Sequence, residues 1–93
     1  MKKKISSEEL QIIPGVGKSI AQDLHHIGIH HVSDLKNRNP EKLYHEIERY
    51  YGSRQDPCVL YTMRCAVYFA SNTRHQQQKL KWWYWKDRKT IYE

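Results

Sequence analysis

One short run governs what this chain can fold into. Pro14-Gly15-Val16-Gly17 places a proline and two glycines side by side, between two stretches with helical spacing. Proline disfavours helical geometry in the residue before it and glycine accepts the positive φ of a tight turn, so one helix must stop here and another must start. Upstream, Ser6-Ser7-Glu8-Glu9 has capping-box spacing, with Ser6 as N-cap, Glu9 at N3 and Ile5 set to staple onto Leu10. That predicts a short helix from about 7 to 12 or 13. Downstream, Ile20, Leu24 and Ile27 recur at helical spacing and Gly28 suits the position just past a helix end, which predicts a second, amphipathic helix.

The rest of the chain reads as more helix. Residues 32–36 have room for one or two turns, and Asn39-Pro40-Glu41 supplies an N-cap, a first-turn proline and an acidic first turn. Leu43, Ile47 and Tyr50 form the expected buried stripe of that helix, and Gly52 ends it. Asp56-Pro57 repeats the start signal for a helix over about 57 to 72, apolar on most of its circumference except Thr62 and Arg64, so it is expected to run through the centre. Arg64 faces a choice between a phosphate and a local acid such as Asp23 or Asp34. A polar connector over 74–78 leads to a last segment, 79–88, that holds every tryptophan. No strand and no internal repeat is evident. An all-α fold in one domain is expected, with a core over about 6–72 and a basic, aromatic C-terminal segment over 73–93.

The net charge of +6 is uneven. Residues 19–72 are neutral, with six basic and six acidic side chains, whereas 1–18 carry +2 and 73–93 carry +4. A positive field at both ends attracts polyanions, so nucleic acid is the first partner to consider, against the simpler alternative of solvated lysines. Ser6, Ser7, Glu8 and Glu9 follow Lys2 to Lys4 where an export signal would need an apolar run, and no stretch approaches the length of a membrane span. A cytoplasmic location without membrane contact is expected. Cys58 and Cys65 would lie about 10 Å apart on one helix, beyond the roughly 7 Å a disulfide tolerates, and both are expected to be small core residues in a reducing compartment. His25-His26 and His30-His31 straddle Gly28 without completing a zinc pattern, and no nucleophile–base pair appears. Asp34 falls at a helix start. No enzymatic activity, metal, cofactor or small-molecule substrate is therefore expected.

The chemistry concentrates in Ile12 to Ala21. Two glycines around one apolar residue fold the backbone tightly, turn its amides outward and open a helix whose first amides lack intrahelical partners, which makes an anion site. Val16 is placed to wedge between the two helices, and Lys18 adds a positive charge beside the amides. The alternative is a turn that only packs two helices. The apolar pair, Pro-Gly-apolar-Gly, the basic Lys18 and Ala21 four positions after the second glycine resemble the helix-hairpin-helix family. The resemblance implies a hairpin that grips the DNA backbone without reading sequence, through Gly15, Val16, Gly17, Lys18, Ser19 and Ile20. It also implies that a monovalent cation, where members bind one, would sit on carbonyls of Gln11, Ile13 and Val16. Gly28-Ile29, Val32, Leu35, Asn39-Pro40-Glu41 and Leu43 follow the order of paired domains of this kind, a SAM-like helical bundle. The second half departs from the pattern: Tyr51-Gly52-Ser53-Arg54-Gln55-Asp56-Pro57 has one glycine, implying a degenerate hairpin that packs but does not grip, and His31 stands where a Ser or Thr cap is usual. Including Arg64 to Ala70 and Lys81 to Asp87, nearly the whole chain is similar to the small bacterial pathogenicity-locus family, sometimes labelled mitomycin-resistance proteins.

In the C-terminal segment, rings interleave with cations, a composition that suits stacking on unpaired bases or docking on the core. On an α-helix Leu80, Trp83 and Tyr84 would share one face and dock, leaving Trp82 and Trp85, with Lys81 and Lys86, to meet nucleic acid, a partner protein or a second copy. The two functions that follow are a DNA-backbone-binding module and, as the alternative, a protein-interaction domain that works through this tail.

Overall fold

The structure, a computed structural model, describes residues 7–86. The cap at Ser6, the Ile5 staple, Lys2 to Lys4 and the charges beyond Lys86 lie outside the described residues. The chain forms α1 (Ser7–Leu10), α2 (Lys18–His26), α3 (Pro40–Tyr51) and α4 (Pro57–Ser71), with 3-10 turns at Val32–Leu35, Gln77–Leu80 and Trp82–Trp85. No strand occurs among the described residues, so the fold is all-α. None of their helices is long and apolar enough to cross a membrane.

Local chemistry accounts for most boundaries. α1 stops sooner than its spacing predicts, and the chain continues in tight turns, the Ile12 amide donating to the Glu9 carbonyl (3.3 Å) and the Ile13 amide to the Leu10 carbonyl (3.1 Å). α2 ends as expected at Gly28, whose φ of +93° lets its amide reach the His25 carbonyl (3.1 Å) and the Ile29 amide reach Leu24 (2.9 Å). Asn39 Oδ1 accepts the Glu41 amide (2.9 Å) to open α3, and Asp56 Oδ1 accepts the Cys58 amide (2.8 Å) to open α4. His31 takes the cap position before Val32, and Asp34 completes that start by accepting the amides of His30 and His31 (both 3.0 Å).

The Glu9 carboxylate makes a link that the capping-box pattern does not reveal. Its two oxygens meet His31 Nδ1 and the Val32 amide, both at 3.0 Å, so α1 is fastened to the Val32–Leu35 turn. The hydrogen bond to His31 holds the Glu9 carboxyl below its usual range, and the same bond raises His31.

α4 runs through the middle, buried on every side from Thr62 to Tyr68, and packs on α3 and on all three 3-10 turns. Around it lie Leu10, Ile13 and Val16 of the first bend, Ala21 and Leu24 of α2, Leu35, and Leu43 and Ile47 of α3. A second cluster joins Cys65, Tyr68 and Trp85, with Leu80, Trp82 and Tyr84 against it. The C-terminal segment is thus packed into the fold.

Three expectations are corrected. Tyr50 is 53% exposed. The α3 stripe is Pro40, Leu43, Tyr44 and Ile47; Tyr50 falls beyond it and stacks on His26 at 4.3 Å. Cys65 is buried but Cys58 is exposed, because it sits in the first turn of α4, before the buried stretch begins; both thiols are free. Arg64 pairs with neither Asp23 nor Asp34. Asp23 accepts the Tyr51 hydroxyl and Asp34 caps its own turn, while Arg64 Nε and Nη2 reach Glu41 Oε2 (3.2 and 3.0 Å) and Nη1 donates to the Trp85 carbonyl (2.8 Å).

Candidate nucleic-acid interface

The first bend is built from two turns in succession. The Val16 amide donates to the Ile13 carbonyl (3.0 Å), closing a four-residue turn with Pro14 second and Gly15, at φ +88°, third. This is the residue order of a type II turn, in which only the third position needs a positive φ. Val16 is 4% exposed and plugs into the core as the expected wedge, and with its amide bonded to Ile13 it does not join the backbone contacts expected of it. Burying Val16 fixes the bend against α1 and α2 and turns the backbone on either side outward.

Gly17 is the N-cap of α2, extended at φ −94° and ψ −169°, with no side-chain cap and no acid in the first turn. The first hydrogen bond into the helix runs from the Ala21 amide to the Gly17 carbonyl (2.9 Å). The amides of Gly17, Lys18, Ser19 and Ile20 therefore have no partner among the described residues. Gly17, Lys18 and Ser19 are exposed and Ile20 is half-buried. Four donors at the positive end of a helix dipole, beside the Lys18 ammonium, can bind an oxyanion without reading a base.

The two glycines do different work. A Cβ on Gly15 would stand 3.3 Å from Trp82 Cδ1 and 3.5 Å from Trp82 Cβ, so Gly15 serves both the turn and the packing of the C-terminal segment. A Cβ on Gly17 would meet nothing within 4 Å among the described residues, and its φ is one any residue adopts. Nothing inside the fold requires glycine at 17; bare backbone there favours close approach from outside.

The C-terminal candidates are only partly where the sequence puts them. Trp85 is 3% exposed and its Nε1 donates to the Lys79 carbonyl (2.9 Å), which removes it as a contact, while Trp82 is half-buried against Gly15. Trp83, expected to dock, is 57% exposed. The cause is a break in the segment: two 3-10 turns separated by one extended residue replace a continuous α-helix, so Trp83 no longer shares a face with Leu80, and Trp82 and Trp85 turn inward together. Crowded aromatic residues are weak helix formers, and Lys81, extended at φ −100°, separates this turn from the one before. The Gly15–Trp82 contact joins this segment to the bend, and Lys18, Lys81 and Lys86 are all exposed.

Comparison with known proteins places the chain among relatives. A family model described as pathogenicity locus matches residues 3–90. The mitomycin resistance protein McrB of Streptomyces lavendulae is 37% identical over 59 residues, which cover 63% of this chain and 56% of that protein. No solved structure matches. The match along almost all of its length shows that the chain belongs to the pathogenicity locus family.

Proposed function

We propose that this chain is a non-enzymatic, helix-hairpin-helix module that holds the DNA backbone without sequence preference. The observation that carries this reading is the run of four amides from Gly17 to Ile20 without a partner among the described residues, at an exposed helix start that lacks a side-chain cap. Phosphate oxygens would take those donors, Lys18 would add charge, and Gly17 would let the strand come close. The alternative, a protein-interaction domain working through the aromatic tail, is weakened because Trp85 and much of Trp82 are committed to the fold.

With about two to four phosphates engaged, the logarithm of duplex affinity should fall with the logarithm of salt at a slope of about −2 to −4. Gly17→Val and Lys18→Glu should each weaken binding of a labelled duplex of arbitrary sequence about tenfold at low salt, while the helical circular dichroism persists. Wild-type affinity in both variants would end the hairpin proposal.

A further inference from the structure

Trp83 is held outward by a segment that is otherwise fastened down. On one side Trp82 lies against Gly15. On the other, Trp85 is buried, its indole donates to Lys79, and its carbonyl is held by Arg64, itself paired with Glu41. The Trp83 ring therefore projects from a turn pinned at both ends, not from a loose tail. It stands nearly perpendicular to Trp82, with ring centres 5.6 Å apart, and the Lys81 ammonium lies 5.9 Å from its centre. One indole separates it from the first bend.

An exposed, pre-positioned indole loses little freedom when a flat partner stacks on it. The charge of the segment favours one kind of partner: residues 73–93 carry six basic side chains against Asp87 and Glu93, a net of +4. That composition repels a basic face, gains nothing electrostatically from a neutral one and attracts a polyanion bearing planar bases. We infer that Trp83, with Lys81, is a stacking site for an unpaired nucleobase, so that the protein prefers the junction between duplex and single strand over continuous duplex. This rests on the hairpin holding the neighbouring backbone: Trp82, edge-on to Trp83, lies against Gly15 of the bend.

The test compares three fluorescein-labelled probes with the full chain at low salt: a blunt duplex, and the same duplex with a short run of unpaired thymidines at the 3′ or the 5′ end. At least one tailed probe should bind about tenfold more tightly than the blunt one. Trp83→Ala should erase that advantage and leave blunt-duplex affinity and the melting temperature unchanged, while Trp83→Phe keeps most of the advantage. Equal affinity of wild type for all three probes overturns the stacking site alone. So does an equal loss on blunt and tailed probes in Trp83→Ala, or an alanine variant whose only change is loss of self-association. Wild type that ignores the blunt duplex but binds the tailed probe through Trp83 would uphold the stacking site and overturn the hairpin.

Discussion

Two helix-to-helix bends, one between α1 and α2 and one between α3 and α4, are both built on glycine and proline and end in opposite states. Between α3 and α4 most donors are closed, and those at the helix start are held by Asp56. The Gly52 and Ser53 amides reach the Glu48 carbonyl (2.8 and 3.2 Å), the Gln55 amide reaches Glu48 Oε2 (3.1 Å), and the Cys58 amide reaches Asp56 Oδ1 (2.8 Å). Between α1 and α2 the four amides from Gly17 to Ile20 have no partner among the described residues, and no carboxylate caps the helix. A carboxylate at a helix start satisfies the donors and repels a phosphate in the same place. The second bend is therefore committed to the fold, and the first is available to a ligand.

The largest expected effect separates the two glycines of the first bend. Gly15→Val forces a β-branched side chain into left-handed backbone against Trp82, and should lower the melting temperature by about 10 °C or more. Gly17, in ordinary backbone with open space at its Cβ, should tolerate small side chains without loss of stability. Thermal melts of the two single variants check this contrast directly.

A smaller effect is expected at the closed bend. Asp56→Ala removes the α4 cap and should lower the melting temperature by about 5 °C, leaving duplex affinity unchanged. Acid should act similarly. The Cys58 amide holds the Asp56 carboxyl below its ordinary 3.8, and the Gln55 amide holds Glu48 below 4.5. Their stabilisation is complete above those ordinary values and is lost as pH falls through the lowered ones. Hydrogen-exchange protection of the Gln55 and Cys58 amides should drop in that acid range.

How far the sequence shows this contrast depends on the range of the interactions involved. Local signals were legible: Asn39-Pro40, Asp56-Pro57, Gly28 and Gly52 mark the ends of helices through bonds that span a few residues, and the Val16 wedge follows from the turn around it. Long-range choices were not. Glu9 reaches His31 and Val32, Arg64 selects Glu41 over two other acids, and Tyr51 takes Asp23, each across more than twenty residues. In the candidate site, the open start of α2 is legible from Gly17 and Lys18, but the outward face of Trp83 is not, because the extended residue at Lys81 breaks the helix that the spacing suggests. The contact of Trp82 with Gly15 had no local signal at all.

The central claim, that uncapped donors at the first bend are the binding site, is tested most directly by giving that bend the cap of the second. Gly17→Asp places a carboxylate at the N-cap of α2, where backbone and space accept it. Measured together, the melting temperature should stay level or rise by about 1–3 °C, while low-salt duplex affinity falls more than about tenfold. A capped variant that is equally or more stable and still binds duplex as the wild type does would contradict the account.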